Sequence, residues 1–211
     1  PVIKAESMKT SKAPFLVVLA ILGGMTGIAC AAEFTIESAS AAAEKGDPAA
    51  QFFLGRAYAK GEGVARNDSR AVELYQKAAD QGHAEAMGGL GFMYAQGQGV
   101  ERNEFKALEH YRMAAERGVG FAQFSLGQML RRGQGGPIDL KGAVEWYEKA
   151  AKQGVALAQA QLGEMYYFMG EGLPQDLDKA ALWLARAAVA GVANSQNIIG
   201  VMTEHGQGGL R

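Results

Sequence analysis

A fixed interval between glycines constrains this chain more than any other feature. Gly46, Gly82, Gly118, Gly154 and Gly191 follow one another at steps of 36, 36, 36 and 37 residues. Other landmarks return between them: Leu54-Gly55, Leu90-Gly91, Leu126-Gly127 and Leu162-Gly163, then Ile199-Gly200. Self-similarity at a period of about 20 to 50 residues is the signature of a solenoid, whose units cannot bury their apolar faces alone. Length therefore does not divide these 211 residues into domains, because a stack grows by adding units.

Each unit splits into two helical halves joined by a Gly-x-Gly turn. In the first half Ala50, Leu54, Ala57 and Tyr58 fall on one helical face. Asp47-Pro48 supplies an N-cap and a proline at the first helical position, and Gly61-Glu62-Gly63 ends the helix. The turn returns as Gly97-x-Gly99, Gly133-x-Gly135 and Gly170-x-Gly172. The second half opens on Asn67, Asn103, Asp139 or Asp176, whose side-chain oxygens suit an orphan backbone N–H. Ala71, Leu74, Tyr75, Ala78 and Ala79 then follow the i, i+3, i+4, i+7, i+8 pattern of a buried face. Glu73 with Lys77, and Glu145 with Lys149, have the spacing of i,i+4 ion pairs. Small residues at Gly55, Ala71 and Ala78 let backbones approach closely while Leu54 and Tyr75 fill the gaps.

The extra residue of the fourth unit falls within Tyr166-Tyr167-Phe168-Met169, which predicts a longer helix end or a small bulge. The fifth unit runs only through Gly206-Gln207-Gly208-Gly209-Leu210-Arg211, so a frayed last helix is expected. The units are thus about 47–82, 83–118, 119–154, 155–191 and a partial 192–211, within a solenoid over 33–211.

Residues 1–32 read differently. Residues 1–7 precede Met8 and form an upstream extension. Met8-Lys9-Thr10-Ser11-Lys12 is a short basic start, followed by an uncharged run from Ala13 to Ala32. Small residues close it at Ala29-Cys30-Ala31-Ala32, giving the layout of a secretory signal peptide with a mature chain from about Ala32 or Glu33. Gly27-Ile28-Ala29-Cys30 offers a lipobox-like alternative in which Cys30 is lipidated, and about 20 residues could instead anchor a chain in a bilayer. The expected location is periplasmic or secreted, with a lipid or helix anchor as the alternative.

Composition narrows the function. The 21 basic and 22 acidic residues give a net charge of −1, without the concentrated basic surface of a nucleic-acid binder. The single cysteine, Cys30, rules out a disulfide framework in the repeats. His83, His110 and His205 fall at different repeat positions without metal-ligand spacing, and no G-x-S-x-G, S-x-x-K or H-E-x-x-H occurs. His83 stands at a helix entry and His110 takes the slot of Leu74 and Trp146, so both read as structural. Neither a cofactor nor an enzyme activity is expected.

Over Ala41 to Gly208 the units resemble the Sel1-like repeat, a relative of the tetratricopeptide repeat. The resemblance rests on AQFFLGRAYAKGEGVARNDSRAVELYQKAA in the first unit and AQFSLGQMLRRGQGGPIDLKGAVEWYEKAA in the third, with Trp146-Tyr147 matching the family's WY pair. Departures are Met87 for the usual Gln, Leu130 for the first-helix Tyr, and Leu184 after Trp183. The resemblance implies an all-α, right-handed helix-pair solenoid serving as an adaptor in protein complexes, and for exported bacterial members a role in envelope signalling, regulation or host contact. A cysteine-rich secreted branch is linked to β-lactam binding and hydrolysis, but it carries a cysteine pair per repeat that this chain lacks. A cell-wall or β-lactam ligand is therefore the alternative to a scaffold.

In such solenoids the first helices line a concave face. Residues there that point away from the Leu54/Tyr58 stripe are Phe52, Arg56 and Lys60, then Phe92 and Gln96. The third unit adds Phe121, Phe124, Gln128, Arg131 and Arg132, and the fourth Glu164. Phenylalanines beside arginines suit a protein or peptide partner with apolar anchors and acidic groups; the competing reading has some of these rings contacting the next helix.

Overall fold

The computed structural model describes residues 35–168 and 174–209, and every regular element among them is a helix. The ten helices are α1 (Ile36–Glu44), α2 (Pro48–Lys60), α3 (Asp68–Asp80), α4 (Ala84–Gln96) and α5 (Glu104–Glu116), then α6 (Gly120–Arg132), α7 (Leu140–Lys152), α8 (Ala156–Tyr167), α9 (Leu177–Val189) and α10 (Ala193–Glu204). Each packs chiefly on the helix before and after it, from α1 on α2 to α9 on α10. First helices of successive units also touch, α4 with α6 and α8 with α10. This is the all-α helix-pair solenoid that the period predicts. The signal-peptide segment with Cys30 and the Gly170-x-Gly172 turn lie outside the described residues.

The local signals work as their chemistry requires. Asn67, Asn103, Asp139 and Asp176 each accept a hydrogen bond from the N–H three residues on, at 2.8–3.0 Å. Asp47 caps α2 through the N–H groups of Ala49 and Ala50. First helices α2, α4 and α6 end on left-handed Gly61, Gly97 and Gly133. The loop then returns so that the N–H of Asn67, Asn103 or Asp139 donates to the carbonyl nine residues back, on Tyr58, Tyr94 or Leu130.

Within a unit the two helices meet at the Leu-Gly position. A Cβ on Gly127 would stand 2.8 Å from the Tyr147 ring and 3.2 Å from the Ala143 carbonyl, and Gly55, Gly91 and Gly163 are similarly crowded by Tyr75, Tyr111 and Leu184. Contact between units is closer still. At Gly99 a Cβ would meet the Asp68 carbonyl of the preceding unit at 2.4 Å, so only glycine, here at φ +69°, lets the turn lie against that backbone. Apolar burial runs the length of the stack, through Ala71, Tyr75, Leu90, Tyr111 and Leu126 and on through Tyr147, Leu162, Leu184 and Met202.

Buried glutamines tie the units together. Gln51, Gln123 and Gln159 each donate to a carbonyl eight residues back, on Ala43, Ala115 and Ala151. Gln51 and Gln123 also accept from Gln81 and Gln153 at the end of the following second helix. A buried amide satisfied on both sides fixes three helices at once.

Several expectations need correction. The surplus residue does not lengthen a helix: α8 ends at Tyr167, and Phe168 leaves it in an extended conformation. The Asp176 N–H reaches back ten residues, to the Tyr166 carbonyl, so the extra residue falls between these two positions; residues 169–173, which include the end of the stretch where a bulge was expected, lie outside the described residues. Glu73 pairs with Arg70 at 2.7 Å instead of Lys77, because Arg70 lies one turn away on the same exposed strip. Lys149 sits over the Trp146 ring at 3.7 Å instead of reaching Glu145. The last helix is formed through Glu204, anchored by the fully buried Met202. The helix that Gly46 stops is α1, which takes the place of a second helix ahead of the first full unit. It is closed by a Thr35/Ser38 capping box and buries Ala39 and Ala43 against Ala50 and Leu54.

Candidate functional site

The first helices of units one to three converge on one groove of about 700 Å³. Helix α2 contributes Phe52, Arg56, Ala59 and Lys60, while α4 contributes Glu85, Gly89, Phe92 and Met93. Phe121 closes one end from the first turn of α6, Arg66 and Gln98 reach in from loops, and Tyr75 of α3 lies at the floor. Five residues expected at the surface thus share one site: Phe52, Arg56, Lys60, Phe92 and Phe121.

Packing explains why the hollow exists. The place of Phe52-Phe53 in the first unit is taken by Gly88-Gly89 in the second. A Cβ on Gly88 would stand 2.4 Å from the Phe121 ring, and one on Gly89 would meet Tyr75 at 3.1 Å. Glycines inside a helix cost about 1 kcal/mol each relative to alanine, so α4 gives up helix propensity where these rings need room. Phe52 is half-buried, stacked on His83 at 4.8 Å and tilted against Tyr75 at 5.8 Å. Phe121 meets Tyr111 edge-on at 6.5 Å. Phe92 and Phe121 nevertheless leave 45% and 44% of their surface to solvent. Burial pushes the Tyr75 hydroxyl up to about 12, so it stays protonated beneath the groove at neutral pH.

The other expected residues lie elsewhere. Gln96, Gln128 and Arg132 line a smaller hollow of about 210 Å³ with Arg102, Glu104 and Ser125. Phe124 packs on Tyr147 at 5.8 Å. Arg131 donates to Gln161, Gln161 donates to Glu164, and Glu164 also accepts from Asn194, a polar ladder linking α6, α8 and α10. Arg131 and Glu164 are therefore engaged between units. Sequence reasoning missed Arg66, Tyr75, Glu85, Gly89 and Gln98; the visible signal was the Gly88-Gly89 doublet, out of step with the other units.

Among the described residues no group of three His, Cys, Asp or Glu could hold a metal ion, and no helix is long and apolar enough to cross a membrane. His83 caps α4 through Nδ1 and the N–H of Ala86. His110 stacks on Tyr94 at 5.5 Å, and burial lowers its pKa.

Four consecutive segments, 48–83, 84–119, 120–155 and 156–192, match the Sel1 repeat. The chain belongs to the Sel1 repeat family. Its fold is similar to that of a protective antigen of uropathogenic Escherichia coli strains displaying an SLR fold. That likeness has 33% identity and TM-score 0.78, and covers 83% of this chain and 38% of the antigen. A Sel1 repeat protein from Oxalobacter formigenes is similar at 35% identity and TM-score 0.75, over 82% of this chain and 50% of that one. The immunity protein Pa5087 from Pseudomonas aeruginosa follows at 27% identity and TM-score 0.52, over 74% and 58%. The chain spans half or less of the length of the first two. No curated protein matches it. Sel1 repeat proteins are generally protein-interaction scaffolds.

Proposed function

We propose that this Sel1 repeat chain is a non-enzymatic scaffold that holds a protein or peptide partner along its first helices. The observation that carries this reading is the convergence of Phe52, Phe92 and Phe121, from three successive units, on one open groove. Aromatic side chains left half-exposed in a hollow are what protein interfaces use as anchoring points. The basic start and apolar run of residues 8–32 support export before this function is exercised. A mature mass beginning at Ala32 or Glu33 is expected; a lipidated Cys30 as the first residue would mean cleavage before it and anchoring, and retention of Met8 would overturn cleavage.

Photo-crosslinking of the full chain in extract of its own cell tests the scaffold reading. Phe92→Asp removes the partner without changing the melting temperature. Val189→Asp, at a position 91% exposed on α9, keeps the partner. The same captured proteins for Phe92→Asp and wild type would sink the assignment of this face.

A further inference from the structure

The groove carries unequal charge. Arg56, Lys60 and Arg66 line it against one carboxylate, Glu85, in a chain whose net charge is −1. Two of the three cations are already matched. Arg66 makes two contacts of 2.9 Å with Asp68, and Lys60 lies 3.5 Å from Glu62. Glu85 stands 3.4 Å from His83 Nδ1, but that nitrogen already accepts the Ala86 N–H, so the histidine does not neutralise the carboxylate. Arg56 differs: it is exposed and joins no ion pair among the described residues, and its guanidinium lies 5.7 Å from the centre of the Phe53 ring. Its guanidinium therefore offers its donors at the lip of an apolar hollow, the setting in which a planar fork pairs best with a carboxylate.

The neighbouring surface narrows the choice. Toward the third unit the groove is stopped by Phe121 seated over Gly88, and further along the Arg131–Gln161–Glu164–Asn194 ladder joins successive first helices. The smaller hollow beside Gln128 and Arg132 has its own Arg102–Glu104 ion pair. An apolar hollow with Arg56 outside any ion pair is thus concentrated between α2 and α4.

We propose that this groove takes one large apolar side chain of a partner segment that carries carboxylates beside it, with Arg56 as the pairing cation. The proposal rests on the scaffold reading and adds the chemistry of the segment that is held. A solvent-facing pair of this kind weakens as salt rises, so discrimination is greatest at low ionic strength.

The test measures binding of fluorescein-labelled twelve-residue peptides to the full chain by fluorescence polarisation. One peptide has a central Phe flanked by Asp; others replace Phe by Ser, or Asp by Lys. The Asp/Phe peptide is expected to bind at least about tenfold more tightly than either control. Arg56→Glu weakens it by about tenfold and favours the Lys/Phe peptide, while Arg56→Lys retains most of the preference. Both variants are expected to melt with wild type because Arg56 is exposed. Equal binding of Asp and Lys peptides, no binding of the Asp/Phe peptide, or indifference to Arg56→Glu would each overturn the proposal. If crosslinking still depends on Phe92 while the Asp/Phe peptide fails, the scaffold reading survives and only the acidic segment is lost. If the Phe92→Asp chain captures the wild-type set, both fall.

Discussion

At the scale of the residue, one repeat position does two different jobs in this chain. Gly127 is inside a helix–helix contact, and an added methyl there meets the ring of Tyr147, itself without exposed surface. Gly200 holds the same place in the fifth unit, yet a Cβ there has no atom within 4 Å. Overpacking a filled contact costs about 1–3 kcal/mol, whereas alanine in an open helix interior gains up to about 1 kcal/mol over glycine. Gly127→Ala should therefore lower the urea midpoint and Gly200→Ala should raise it or leave it unchanged. Equal shifts of the same sign would show that the ring contact has been misjudged.

At the scale of the element, each second helix begins on a capping side chain, and at Asp176 the capping bonds shift the titration of the cap. Hydrogen bonds from Lys179, the backbone N–H foremost, hold Asp176 below the ordinary carboxylate value of 3.8. A carboxylate whose pKa falls on folding adds stability that is fully present above its unfolded value and fades as pH drops through the folded one. Asp176→Asn keeps the cap, as Asn67 and Asn103 do, but removes this acid sensitivity. Urea midpoints from pH 6 to pH 2 should fall less steeply for the variant below about pH 4. Parallel curves would assign the acid limb to other groups. Capping residues and glycine stops were readable in the sequence because each acts on its own backbone within a few residues. Ion pairs such as Glu73–Lys77 were not, since an exposed side chain has several partners of similar energy and Arg70 lay equally near.

At the scale of the whole molecule, the period was legible throughout and the groove only in part. Register arithmetic equates Arg56, Phe92, Gln128 and Glu164, four residues with no common chemistry. The site is instead assembled from unlike positions: Phe52 and Phe92 differ in register, Phe121 comes from a third slot, and the hollow owes its room to Gly88-Gly89. A repeat reveals what every unit must do to stack, whereas a binding feature is made where one unit departs from its neighbours. Of helix α1 only its stop, Gly46 at φ +93°, was legible in the sequence, for a related reason. Its buried positions are Ala39 and Ala43, and Ala39 stands where the full units place Tyr75 or Tyr111, so it covers the first unit without repeating its landmarks.

The displaced hydrogen bond between Asp176 and Tyr166 has a wider consequence. Ten residues close that bend where nine close the others, and the helices downstream still meet as they do elsewhere. The bend between paired helices is thus a splice point that accepts an added residue while the array keeps its phase. A reporter peptide or a second recognition loop grafted there would decorate the rim and leave the spine of the stack in step.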